Sequence, residues 1–247
     1  ININTGELVW SKVNDYPFNS QIKIFKDKFF VIDYKNIMRC FYLKDGSECW
    51  KFKTEDSLMM SGSKYSIIIE NESVIFNNSV GDITAIDIST GSMLWQIPTQ
   101  SSRINNETYI FKNSKLVSDG NSIFLSNNKN QFFSISLKLG TINWTNKISS
   151  SLTPVLLDNL IFTISSNGYL FTIDKNQGNI LRVNDIYNLY KSKHRNKTRP
   201  VGFSVGKDKL YLSNNDGKII VINLSSGNVI KTEKISGGLI SEPFIFN

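Results

Sequence analysis

Apolar positions along the chain fall in short blocks, separated by clusters of Asn, Asp, Ser, Lys and Gly. Some blocks alternate with polar residues and others are apolar throughout. Asp82-Ile83-Thr84-Ala85-Ile86-Asp87, Gln131-Phe132-Phe133-Ser134-Ile135-Ser136 and Lys218-Ile219-Ile220-Val221-Ile222-Asn223 are examples. Runs of this length, bounded by turn residues, read as β-strands, half-buried where they alternate and covered on both faces where they do not. No segment combines a helical period with capping residues. None approaches the roughly 20 apolar residues of a membrane-spanning helix.

A recurring phrase orders these blocks. It reads Thr5-Gly6-Glu7-Leu8-Val9-Trp10, Asp45-Gly46-Ser47-Glu48-Cys49-Trp50, Thr90-Gly91-Ser92-Met93-Leu94-Trp95 and Leu139-Gly140-Thr141-Ile142-Asn143-Trp144. Two degenerate copies follow, from Gln177-Gly178 to Arg182 and from Ser226-Gly227 to Lys231. A strand precedes each phrase, and the glycine supplies the positive φ that a tight hairpin demands. Further upstream, Asn159–Ile164 lies before Asn167-Gly168 and Lys209–Ser213 before Asp216-Gly217, while Pro17, Pro154, Pro200 and Pro243 open short apolar runs, a position proline tolerates. Each period therefore holds four short strands, the make-up of a propeller blade. The expected fold is all-β: a β-propeller of four-stranded antiparallel blades forming a partial ring. One such domain spans 1–247, with five whole blades between about 11 and 231 and partial blades at both ends. Trp10, Trp50, Trp95 and Trp144 end the fourth strands, where an indole can lie across the gap to the next blade and bury up to about 250 Å² of ring surface. Arg182 and Lys231 take that place in the last two copies, so those junctions should be weaker or differently built.

The phrase Ala85-Ile86-Asp87-Ile88-Ser89-Thr90-Gly91-Ser92-Met93-Leu94-Trp95 resembles the PQQ-type propeller repeat. The order of blade variants resembles the BamB family, scaffold lipoproteins of the outer-membrane β-barrel assembly machine. Leu152-Thr153-Pro154-Val155 through Gly178, and Lys209-Leu210-Tyr211-Leu212 through Ser241-Glu242-Pro243-Phe244, match its C-terminal half at low identity. The resemblance implies an eight-bladed ring, a periplasmic, outer-membrane-associated location and a lipid anchor at the mature N-terminus. It also implies a protein partner, the barrel-forming subunit, contacted by loops of the middle blades. The segment 57–62 stands at a similar place, and Leu58, Met59 and Met60 become partner-binding candidates. Leu58 and Met60 match the family's apolar contacts, Ser61 stands where a basic residue is usual, and the expected acidic pair is not evident around Tyr109-Ile110-Phe111-Lys112. Leu58 and Met60 read equally well as buried strand residues. Membrane association is expected only through a lipid anchor that these residues do not include.

Charge and candidate chemistry alter this picture little. The net charge is +7, yet Asn, Lys, Ile and Ser are all abundant, as expected when an AT-rich genome biases codons. The strongest charge feature is Lys191-Ser192-Lys193-His194-Arg195-Asn196-Lys197-Thr198-Arg199, whose basic residues alternate. In an extended chain all five would project to one side, making Lys193, Arg195 and Lys197 candidates for an acidic partner loop, lipid headgroups or nucleic acid. A solvated loop between blades is the reading favoured here, and no nucleic-acid partner is expected. Tyr187 and Tyr190 just before it are a weak stacking signal. Cys40 and Cys49 flank the turn Lys44-Asp45-Gly46-Ser47 and read as two small buried thiols, with a cross-strand disulfide as the alternative.

PQQ-dependent dehydrogenases share the repeat, and in them a ring-shaped disulfide between adjacent cysteines underlies the cofactor. Cys40 and Cys49 are not adjacent. Asp45, Asp87, Asp174 and Asp216 lie singly in turns, short of the six to eight oxygens that calcium requires. His194 is the one histidine, too few for a transition-metal site or a nucleophilic triad, and no phosphate-binding glycine loop occurs. No catalytic residue, metal or cofactor is expected. The expectation is a non-catalytic scaffold for protein–protein interaction in outer-membrane protein assembly. The alternatives are a fragment of a quinoprotein dehydrogenase and, more weakly, a sensor or cell-surface propeller.

Overall fold

The computed structural model describes residues 1–55, 64–99, 112–238 and 240–245. Its strands form five antiparallel sheets of four strands, each in sequential order. Sheet I comprises β1 (Lys23–Phe25), β2 (Lys28–Ile32), β3 (Ile37–Tyr42) and β4 (Glu48–Lys53). Sheet II comprises β5 (Ile67–Glu70), β6 (Ser73–Asn77), β7 (Ile83–Asp87) and β8 (Met93–Ile97). Sheet III comprises β9 (Val117–Ser118), β10 (Ser122–Asn127), β11 (Gln131–Ser136) and β12 (Ile142–Asn146). Sheet IV comprises β13 (Val155–Leu157), β14 (Leu160–Ile164), β15 (Tyr169–Asp174) and β16 (Ile180–Asp185). Sheet V comprises β17 (Pro200–Gly206), β18 (Lys209–Asn214), β19 (Lys218–Asn223) and β20 (Val229–Lys234). A single helical turn, α1 (Ser192–Arg195), lies between sheets IV and V in sequence.

The chain divides into two compact units. The first contains Ile1–Lys112 and the turn Leu137–Thr141; the second contains Asn113–Ser136 and Ile142–Asn247. In the first, Phe30, Ile32, Met38, Val74, Phe76 and Ile86 of sheets I and II share one buried cluster, against which Trp50 packs. In the second, Phe162, Leu170, Phe203, Leu212 and Ile220 of sheets IV and V form another, and Phe124, Phe132, Ile161 and Ile173 a third beside Trp144. The middle strands are buried on both faces, as β6 is from end to end. This explains why they read as continuous apolar runs and not as strict alternation. The fourth strands are the least covered: β8 and β16 contain no fully buried residue and expose Leu94 and Leu181.

Every sheet carries an irregularity at the same place. Between its third and fourth strands the register slips by one, at Cys40/Phe41, Ala85/Ile86, Ser134/Ile135, Thr172/Ile173 and Val221/Ile222. The extra residue is Cys49, Leu94, Asn143, Leu181 or Ile230, each directly before the tryptophan position. Such bulges bend and further twist the outer strand.

Candidate functional site

The glycine turns join the third and fourth strands. In sheet II the Gly91 amide donates to Asp87 O (2.9 Å) and the Asp87 amide to Ser92 O (2.9 Å). Asp87 Oδ1 accepts from the amides of Ser89 and Thr90 and from both hydroxyls, at 2.6–2.9 Å. Hydrogen bonds from Ser89 foremost, then Thr90, hold this carboxyl down to about 2. Gly46, Gly91, Gly140 and Gly178 have φ between +66° and +76°, which L-residues rarely adopt.

Each of these glycines also lies under an indole supplied by the preceding repeat. A Cβ at Gly46 would meet Trp10 at 2.7 Å, at Gly91 Trp50 at 2.6 Å, at Gly140 Trp95 at 2.5 Å and at Gly178 Trp144 at 2.5 Å. Each indole Nε1 donates to a carbonyl of the same turn: Trp10 to Leu43 O (2.9 Å), Trp50 to Ile88 O (2.9 Å), Trp95 to Leu137 O (3.0 Å) and Trp144 to Lys175 O (3.1 Å). Where tryptophan is replaced, Arg182 reaches the corresponding turn, donating to Leu224 O (2.8 Å) and Ser225 O as well as to Thr172 Oγ1 (3.2 Å). There Asn184, not an aromatic ring, lies over Gly227. Sequence reasoning named the tryptophans but not Asn184, for which polar spacing offered no signal.

Trp10 differs from the others because residues 1–16 contain no strand. Trp50 and Trp144 have rings of their own sheets beside them, Phe30 at 5.8 Å and Phe124 at 6.1 Å between centroids. Trp10 has Phe29 of sheet I at 6.0 Å, and an apolar cavity of about 380 Å³ opens next to it, lined by Phe18, Ile22, Ile24 and Phe41.

The basic stretch is not extended. Ser192–Arg195 form α1, so the alternating cations do not share one side. The His194 amide donates to Lys191 O (2.9 Å) and the Thr198 hydroxyl to His194 O (3.0 Å), drawing the segment into local bonds that strand-like alternation does not anticipate. Arg195 is turned inward, pairing with Asp185 (2.7 Å) and donating to Tyr169 Oη (3.2 Å); the Asp185 bond raises its pKa. Lys193 and Lys197 are exposed. Tyr187 is fully buried, donates to Asn214 Oδ1 (2.6 Å) and fills the space over Gly168, and burial raises its pKa. Tyr190 stacks on Tyr187 and meets the His194 ring at a tilt, 4.9 Å between centroids. Both tyrosines thus hold the segment down. Asp216 lies in the β18–β19 turn, where it pairs with Lys218 (3.0 Å) and with His194 (3.1 Å). Leu58, Met59 and Met60 lie outside the described residues.

The model of the family described as outer membrane protein assembly factor BamB matches residues 1–184. The chain belongs to the BamB family. The crystal structure of BamB from Moraxella catarrhalis superposes with a TM-score of 0.75 at 17% identity, over 100% of this chain and 72% of that one. The quinohemoprotein alcohol dehydrogenase ADHIIG from Pseudomonas putida HK5 gives 0.70 at 10% identity, covering 93% of this chain and 44% of that one. A europium-containing methanol dehydrogenase gives 0.65 at 10% identity, covering 91% and 56%. No curated protein matches the sequence. Together these make the fold a β-propeller of PQQ-type repeats, as the sequence predicts.

One reading within this BamB-like propeller is corrected. Cys40 and Cys49 are not two thiols but a disulfide, with Cα atoms 5.3 Å apart. Cys40 faces Trp50 in register, and Cys49 is the bulged residue beside that pair. A bulge, invisible in sequence spacing, turns the second sulfur toward the first. Among the described residues no three or more His, Cys, Asp or Glu side chains are grouped to hold a metal ion.

Proposed function

We propose that the protein is a non-catalytic binding scaffold acting in the assembly of outer-membrane β-barrel proteins, in the periplasm and associated with the outer membrane. The observation that carries this reading is the BamB family match over residues 1–184. The Cys40–Cys49 cross-link supports the location, since disulfides form and persist in oxidising compartments such as the periplasm. The repeated indole–glycine junctions support the mode of action: rigidly stacked sheets hold connecting loops in place for a partner. The partner is the barrel-forming subunit, and 57–62 with Leu58, Met59 and Met60 is the segment assigned to it.

Affinity capture from envelope extracts with the tagged protein tests this. Recovery of the barrel-forming subunit, reduced by charge substitutions at Leu58 and Met60, is the expected result. Failure to recover it, together with alcohol-dependent dye reduction on adding PQQ and Ca²⁺, would move the protein to the quinoprotein dehydrogenases whose fold it shares.

A further inference from the structure

The net charge of +7 is concentrated in one part of the chain. Residues 191–234 hold ten of the 28 Lys and Arg but three of the 21 Asp and Glu, so this stretch alone is +7 and the remainder is neutral. A compositional surplus of lysine would be dispersed. Much of the excess gathers at one end of sheet V. The Asn215 side chain, in the β18–β19 turn, donates to Lys197 O (3.0 Å), and Lys218 Nζ lies 3.1 Å from His194 Nε2. Lys218 faces Lys234 in register, and the Ile235 amide donates to Gly217 O. Lys191, Lys193, Lys197 and Lys234 are exposed and have no carboxylate partner among the described residues. Two aliphatic side chains stand out among them, Leu189 at 87% exposure and Ile235 at 58%. Because Tyr187 and Tyr190 anchor the segment inward, Leu189 is left facing water.

We propose that this end of sheet V docks on an anionic lipid bilayer. Recognition of a particular carboxylate favours the planar arginine fork. Here Arg195 is engaged with Asp185, and Arg199, bonded through one nitrogen to its neighbour's carbonyl at Thr198, is the one guanidinium left exposed at this end. What otherwise faces outward is a set of long, flexible ammonium side chains around two projecting apolar tips. A fluid sheet of phosphates lets each lysine find its own counter-ion while the tips enter the headgroup boundary. The surface lies beyond the residues matched by the family model, and the inference goes beyond the scaffold reading without depending on its partner.

The test is co-sedimentation of the full chain with vesicles of phosphatidylcholine alone and with phosphatidylglycerol added. Binding is expected only with phosphatidylglycerol and should weaken as salt rises. Lys191→Glu with Lys193→Glu should weaken it at least about thirty-fold. Lys207→Glu with Lys209→Glu changes the net charge equally at the other end of β17 and β18, and should leave it nearly intact. Leu189→Ser should remove the binding that survives high salt. Circular dichroism of each variant verifies folding. Absence of binding to phosphatidylglycerol vesicles overturns the proposal, as does equal loss in both lysine pairs. So does capture by poly-glutamate with Leu189→Ser having no effect on vesicle binding, which would point to an acidic protein.

Discussion

Gly91 and Gly120 allow the two demands on a turn glycine to be separated. Both have positive φ, but a Cβ at Gly91 meets the Trp50 ring at 2.6 Å, whereas at Gly120 nothing lies within 4 Å. Gly120→Ala should cost only the left-handed backbone penalty, about 1–2 kcal/mol. Gly91→Ala should cost at least about 1 kcal/mol more, because the indole must shift off Ile88 O. Urea denaturation of the two variants measures the difference; equal losses would show that the ring contributes nothing there. Asp87 makes a second prediction at this scale. Its folded pKa of about 2 lies below the ordinary 3.8, so its stabilising effect is complete above 3.8 and is lost as pH falls toward 2. The side chain is largely in water, so the effect is small, and Asp87→Asn should flatten the acid limb of the stability curve between those values.

Within a strand pair, the disulfide closes a loop with a sequence separation of nine. Chain-entropy arguments give it about 2–3 kcal/mol. The Cys40→Ala/Cys49→Ala protein should lose that much and become insensitive to reductant, whereas the parent should lose a similar amount when dithiothreitol is added. Arg182 is the matching case for sheet IV. Its guanidinium bonds two carbonyls of the next turn where other repeats use one indole N–H, so Arg182→Ala should cost about 1–2 kcal/mol by chemical denaturation. The strands and glycine turns of these pairs were legible because burial and φ leave direct marks on residue choice. The bulge was not, since one added residue in an outer strand changes neither composition nor period. Missing the bulge hid the geometry that bonds Cys49 to Cys40. The alternation of basic residues in 191–199 implies a shared side only for an extended chain; side-chain parity reports strand geometry only when one face is buried, and neither is in α1.

At the scale of the molecule, stability should be divided among neighbouring sheets and not pooled, as in other repeat proteins. Trp144→Ala removes a ring that packs on Phe124 and Phe132 and bonds the turn at Lys175. Hydrogen exchange should rise in β11, β12, β15 and β16, while β2 and β3 keep their protection. Uniform deprotection would indicate one cooperative block. The repeat itself was legible at this scale, whereas the division into two compact units and the location of the charge excess around sheet V needed the coordinates. The recurrent register slip sets a rule for chain length. Glycine and indole are separated by three residues in every tryptophan-bearing copy, while successive glycines drift from 38 to 49 residues apart. The bulge takes up the extra residue Leu94 while Met93 stays opposite Ile86 and Trp95 opposite Ala85, so these few positions behave as a counted ruler between freely adjustable spacers.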